Sequence, residues 1–295
     1  MKIFTRRDCP LCSNGLTEEA ISPDISPDDN IDKIGNYWRG FYKDKLFFPY
    51  NRCSCGLLYC KKYFDDKYLT KLYSNMDDNV YSGDVETDHI TKDKYIDKIT
   101  DIISEKNISS VIEIGADNGS ILKKLRKKNP SIKKCIAVEP NKKMHDLLKN
   151  VSHSVYNDIS EVPENDKFDL IICIHVLDHI PNISEYIIKI SNMLNKKGYI
   201  FGVVHDESSG LAKILGKRWP AYCLQHPHLF NPKTIENLFS KINLEKISVY
   251  KTINSFKIGY LISQLILAIF KKNIKCPELF NVNLKLGNIG FIFKK

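Results

Sequence analysis

The chain has no uninterrupted apolar run of the roughly 20 residues that a membrane-spanning helix needs. Its most apolar stretch, 256–270, contains Lys257, Ser263 and Gln264. The start, Met-Lys-Ile-Phe-Thr-Arg-Arg-Asp, shows no apolar h-region of a secretory signal, so a cytoplasmic location is the expectation. A dinucleotide fingerprint is also missing. From Gly115, the pattern G-x-G-x-x-G demands glycines at 117 and 120, where the chain has Asp117 and Ser120. An acid in that turn would repel a pyrophosphate, which excludes an NAD oxidoreductase. Arginine and interleaved aromatics are scarce where the net charge of +9 concentrates, in Lys123, Lys124, Arg126, Lys127 and Lys128, with Lys133, Lys134, Lys142 and Lys143 nearby. Nucleic-acid surfaces favour the residues lacking there. The lysines read as a solvated helix face with at most a weak pull on acidic or phosphorylated substrates.

A length of 295 residues with 43% apolar and 27% charged content suits one large globular domain plus a small appendage. From about residue 90 the pattern alternates between helical and strand periods, as in a doubly wound α/β sheet. Expected strands lie at 110–114, 134–138, 152–156, 168–173, 198–202, 245–251 and 288–293, the last pair antiparallel. Expected helices lie at 92–106, after Gly119, at 141–150, 182–195 and 232–240.

Residues 111–119 read Val-Ile-Glu-Ile-Gly-Ala-Asp-Asn-Gly, and Val138-Glu139-Pro140 ends the next strand. Glycines at such a turn let the backbone approach a ligand, and an acid closing the second strand suits a ribose diol. Glu113 and Asp117 favour a ligand with cationic groups and no phosphate. The stretch resembles motif I of the class I S-adenosylmethionine (SAM)-dependent methyltransferases, with Glu113, Gly115 and Gly119 matching and Asp117 in place of the middle glycine. One branch of that superfamily carries E-I-G-x-N-D-G here, and Pro140-Asn141 fits the same branch. The resemblance implies a seven-stranded Rossmann-like sheet and a SAM site made by Glu113, Gly115, Ala116, Asp117, Gly119, Glu139 and Pro140. Asp158-Ile159 resembles the family's adenine-recognition turn. Phe168-Asp-Leu-Ile171 running to Val176-Leu-Asp-His-Ile180 resembles its fourth-strand motif, which adds Ile174 and His175 at the cofactor's lip.

Methylating a hydroxyl requires removing its proton, and histidine suits that task because it titrates near neutrality. His226 is the first candidate base, then His175 and His228. His179 reads as helix-turn architecture, and Asp178 could orient a histidine or favour the helix start.

Cys9-Pro-Leu-Cys12 and Cys53-Ser-Cys55 are two close pairs separated by a loop, the layout of four thiolates around structural Zn²⁺, with Cys60 as a possible substitute for one of them. Residues 1–62 would then be a zinc-ribbon segment that takes much of its folding energy from the metal. Arg52–Tyr59 also resembles the knuckle that opens many zinc-bearing methyltransferases of sugars and secondary metabolites. In those relatives a Tyr-rich stretch follows; here 63–90, with Tyr68, Tyr73 and Tyr81, is the expected linker or lid. Residues 91–295 would be the methyltransferase domain, with a helical insertion at about 255–272.

The resemblance implies methyl transfer from SAM to a small-molecule acceptor, a hydroxyl or carbon of a sugar or natural-product precursor, which could be nucleotide- or lipid-linked. Alternatives are an RNA base methyltransferase and a nonenzymatic SAM-binding domain. Against RNA, Asp169 is followed by Leu-Ile-Ile-Cys rather than a Pro-Pro-aromatic motif, and the front cysteines have no histidine among them. The insertion would pack over the acceptor or form a homodimer contact.

Overall fold

Seven strands form the larger sheet: β1 (Ser110–Ile114), β2 (Lys134–Val138), β3 (Ser154–Tyr156), β4 (Phe168–Ile174), β5 (Leu194–His205), β6 (Glu245–Lys251) and β7 (Asn288–Lys294). The computed structural model describes residues 3–38, 45–74, 85–103 and 108–295; Tyr81 lies outside them. The strand order is β6-β7-β5-β4-β1-β2-β3. β1 to β5 pair in parallel, and β7 runs antiparallel to both β5 and β6. This is the doubly wound fold of the class I methyltransferases. The chain leaves β1 in one direction and returns to β4 on its other side, so a ligand crevice opens at the carboxyl ends of β1 and β4.

All five residues of β1 are buried, because an apolar layer covers each face of the sheet. Ile96, Ile99, Leu122 and Leu125 of helices Val85–Ile103 and Ser120–Lys128 cover one face. Ile187, Ile190, Ile235 and Leu238 of helices Ile183–Asn192 and Pro232–Ser240 cover the other. Lys124 and Lys128 pair with Asp93 and Asp97 of the adjoining helix, so part of the basic run is neutralised locally.

Several boundaries differ from the sequence pattern. The helix expected from 92 starts at Val85. The one expected at 141–150 is a 3₁₀ turn, Lys142–Met144, followed by a short α-helix, His145–Lys149. β5 runs on past Gly202 to His205, because the glycine makes room for a ring: a Cβ there would lie 2.1 Å from Phe291 Cζ.

A second sheet joins Thr17–Ile21, Tyr50–Cys53, Leu58–Cys60 and His228–Leu229, with His228 opposite Tyr59. Its last strand comes from far along the chain. The aromatic core beneath it is shared as well: Trp38, Phe47, Phe48 and Phe64 pack in one cluster with Trp219 and Tyr222. Between β6 and β7, strands Asn254–Lys257 and Asn281–Leu284 pair and flank helix Ile258–Phe270.

Candidate functional site

The glycine turn follows β1. Gly115 and Gly119 adopt φ of +70° and +72°, and Asp117 lies at +48°. The glycines serve packing as much as ligand approach. A Cβ on Gly115 would meet Val176 Cγ2 at 2.6 Å, and one on Gly119 would meet Val151 Cγ2 at 2.5 Å. Glu139, at the end of β2, is buried and accepts from the backbone N–H of Asp117 and of Asn141, both at 2.9 Å. Its carboxylate thus ties the turn to the next helix start, and burial raises its pKa. Glu113 is also buried, and its Oε2 has no hydrogen-bond partner. Burial lifts its pKa to about 8, opposed by the nearby Lys92. A buried carboxyl with one unpartnered oxygen beside two further acids is a set of acceptors that fits a cationic nucleoside and opposes a phosphate. Ala116 and Ile159 are buried, Ile174 is half-buried, and Pro140 and Asp158 face solvent; Asp158 accepts from the Ser160 N–H at 2.8 Å.

Val176, which packs on Gly115, is flanked by a histidine cluster. His175 follows β4 at φ +52°, an uncommon conformation for a residue with a Cβ. Its ring lies 4.7 Å from that of His205 at the end of β5. The His205 and His226 rings are 4.7 Å apart, as are those of His179 and His226. Asp178, fully buried, bonds His205 Nδ1 at 2.5 Å and sits 3.9 Å from His179 Nε2. Tyr73 Oη bonds His179 Nδ1 at 2.9 Å. His228 is fully buried; its Nε2 donates to the Leu177 carbonyl at 2.9 Å, and its backbone belongs to the second sheet.

The electrostatics separate these rings. Burial holds His175, His179 and His228 down to about 3, hence neutral. Burial also pulls on His226, but Cys223 Sγ 3.3 Å from Nδ1, then Asp178 and the Ala221 carbonyl, lift it to about 9. His226 therefore holds a proton at neutral pH, with Cys223 as its main counter-charge. Its Nδ1 donates to Ala221 O at 2.7 Å, so Nε2 is the nitrogen that would give up a proton.

The front segment holds the His226 loop from behind. Tyr50 and Tyr63 hydroxyls donate to the His226 and Leu224 carbonyls, each at 2.6 Å. Cys60 N–H donates to Pro227 O at 2.9 Å. The Arg7 guanidinium lies between the Tyr59 and Tyr63 rings and donates to the carbonyls of Cys60, Pro181 and Pro227. Arg52 forks onto Glu207 at 2.6 and 2.8 Å.

Cys9, Cys12, Cys53 and Cys55 converge, with Sγ–Sγ separations of 3.6 Å for Cys9–Cys55 and 3.4 Å for Cys12–Cys53. A tetrahedral zinc with Zn–S bonds near 2.3 Å requires edges of about 3.8 Å, so these four thiols fit the metal. Cys60 lies elsewhere, its Sγ 3.7 Å from Phe48 O. Sequence reasoning missed His205 and Cys223. Carrying the apolar run Ile200–Val204 to its end would have placed His205 at a strand's carboxyl edge; Cys223 carries no local signal.

Residues 87–249 match the profile of a family described as a methyltransferase domain. Among solved structures the chain is similar to the N-methyltransferase NodS of Bradyrhizobium japonicum WM9 bound to S-adenosyl-L-homocysteine, with 16% identity and a TM-score of 0.48 over 78% of this chain and 99% of that one. It is similar to the 1,6-didemethyltoxoflavin N1-methyltransferase of Burkholderia thailandensis, with 14% identity and a TM-score of 0.48 over 72% of this chain and 81% of that one. It is also similar to a Haloferax volcanii complex of the Trm112 methyltransferase activator with a methyltransferase, with 10% identity and a TM-score of 0.50 over 72% of this chain and 94% of the other. At such identities the likeness is one of fold. No curated protein matches the chain in sequence.

Proposed function

The chain belongs to the methyltransferase-domain family and is a SAM-dependent methyltransferase; from that premise we propose that its acceptor is a small molecule, methylated at a hydroxyl or carbon of a sugar or natural-product precursor. The observation that carries this reading is the contiguity of the two half-sites: the glycine turn packs on Val176, the next residue to His175, and Trp219 and Tyr73 pack against His205 and His179 of the histidine cluster. A cluster of polar side chains beside the donor turn suits a compact acceptor.

Glu139 would hold the ribose hydroxyls, Asp158 and Ile159 the adenine, and Glu113 and Asp117 the cationic end of SAM, with Gly115, Ala116, Gly119, Pro140 and Ile174 lining the same edge. SAM supplies a methyl group already activated on a sulfonium. The chain's own task is alignment, for which orientation alone can contribute effective molarities of roughly 10⁵ M or more. His226 takes the acceptor's proton at Nε2. Asp178 and His205 position that ring, His179 faces it with Tyr73 bonded behind, and His175 lines the donor side. His228 positions the loop through Leu177. Zn²⁺ on Cys9, Cys12, Cys53 and Cys55 is structural, because four thiolates leave no open position for chemistry.

The test is His226→Ala, assayed by calorimetry with SAM and by turnover on nucleotide sugars. SAM affinity should stay within a few-fold while turnover falls by about 10²–10⁴. Weaker SAM binding with unchanged turnover would refute the base role.

A further inference from the structure

Helix Ile258–Phe270 is almost wholly apolar in sequence, yet of its thirteen residues only Gly259 is buried. Helix Pro232–Ser240, nine residues long, buries four against the sheet. Ile262, Leu265 and Ile269 lie at i, i+3 and i+7, one helical face, and are 43%, 46% and 40% exposed. Phe270, Leu279 and Phe280 extend the patch at 65%, 75% and 57%. Eight of the sixteen exposed large apolar side chains described fall within residues 262–284.

The patch is rigidly held. A Cβ on Gly259 would lie 2.0 Å from Pro277 O, so the return segment crosses directly over the helix start. Ser263 Oγ accepts from Cys276 N–H at 2.9 Å, and Ile258 N–H donates to Phe280 O at 3.0 Å. Arg218 Nη1 donates to Ile269 O at 3.0 Å and fastens the helix end to the body.

The surrounding charge identifies the occupant. Lys271, Lys272, Lys275 and Lys285 are exposed, and Glu278 is the one acid between residues 258 and 285. A fixed apolar face with aromatic tips and a lysine border is the pattern of a helix lying in a membrane interface. At about 20 Å the helix is too short to cross a bilayer. We propose that Ile258–Phe270, with the return segment to Leu284, docks this enzyme on the surface of an anionic lipid bilayer. The docking face borders the acceptor site, because Trp219, next to Arg218, edges onto His205 with ring centroids 6.2 Å apart. The proposal does not depend on which group is methylated.

Co-sedimentation of the full chain with vesicles tests it, comparing equimolar phosphatidylglycerol and phosphatidylcholine with phosphatidylcholine alone. Binding should need the anionic lipid and weaken with salt. A lysine near such a surface raises affinity roughly five-fold, so Lys271→Glu with Lys272→Glu should lose at least about 25-fold. Phe270→Glu with Leu279→Glu should abolish binding, with SAM affinity retained as the measure of intact folding. Failure of the unaltered chain to bind either vesicle overturns the proposal. So does a vesicle-indifferent dimer that Phe270→Glu dissociates in ultracentrifugation, since the patch then belongs to a second copy.

Discussion

At the proposed donor edge most of the groups lie between Glu113 and Pro140, on two adjacent strands and the turns that follow them, with Asp158 and Ile159 after the third strand. At the acceptor edge they come from Tyr73, His175–His179, His205 and Ala221–His226, and the clamp behind them starts at Arg7. The first half-site is a local property of one β-turn-α unit; the second exists only once distant segments have packed. Their supports differ accordingly. The donor turn rests on the sheet, with Gly115 and Ala116 N–H donating to Val138 O at 2.8 and 3.2 Å. The His226 loop hangs from the front segment, which gathers Cys9, Cys12, Cys53 and Cys55 into one cluster.

If that division is real, damage to the cysteines should pass to the acceptor edge and spare the donor edge. Cys53→Ser should produce the largest effect. Structural zinc contributes on the order of 10 kcal/mol or more to folding, so the variant should lose its metal and the protection of Tyr50–Cys60 amides from hydrogen exchange. Turnover should fall more than about 100-fold, the span of a lost catalytic base. SAM affinity, measured by calorimetry, should change little. Equal losses in both would show that the two edges form one folding unit.

Arg7→Met is a finer cut along the same line. It removes the guanidinium from the Cys60, Pro181 and Pro227 carbonyls without touching the thiols. Charged hydrogen bonds to buried carbonyls are worth about 1.5–3 kcal/mol each, less what water recovers, so a destabilisation of about 3 kcal/mol is expected. The kcat should drop about ten-fold with KM for SAM unchanged; a rise in that KM alone would place the damage at the wrong edge.

The contrast also explains what could be read in advance. The central strands were legible because buried parallel strands are continuous apolar runs, and the turn because it needs left-handed glycines at a set spacing. The glycines' immediate reason was not legible: the missing Cβ atoms make way for Val176 and Val151, side chains that fold into place from elsewhere. His205 was hidden by Gly202, which reads as a strand end until Phe291 is known to fill its place. Cys223 looked like a scattered thiol, and only its proximity to His226 gives it a role. The same holds for the second sheet, whose fourth strand, His228–Leu229, is too short to carry a pattern of its own.

Cys223 supplies a sharper probe of the acceptor edge. His226 is lifted to about 9 chiefly by that sulfur acting against burial, so the ring proposed as the base is protonated at neutral pH. Turnover at saturating SAM should therefore climb with pH and level off above about 9. Cys223→Ala should move the midpoint down by about one unit or more, towards the ordinary histidine value near 6.5. A profile that ignores the substitution would remove His226 from proton transfer.

The remaining probe belongs to the donor edge and concerns Glu113. Its folded pKa of about 8 exceeds the ordinary 4.5, because burial disfavours the carboxylate. Between those values the folded chain holds a proton that the unfolded chain releases, so stability falls as pH rises from 4.5 to 8 and is level beyond. Glu113→Gln removes that dependence. By denaturant titration the variant should match the unaltered enzyme at pH 4.5 and exceed it at pH 8 by on the order of 3 kcal/mol. A cationic ligand reverses the preference by favouring the carboxylate, so SAM should bind more tightly as pH rises towards 8 and should release a proton at pH 7. Calorimetry in two buffers of different ionisation enthalpy reads that proton directly. If none is released, Glu113 does not face the donor's charge, and the donor edge rests on Glu139 and Asp117 alone.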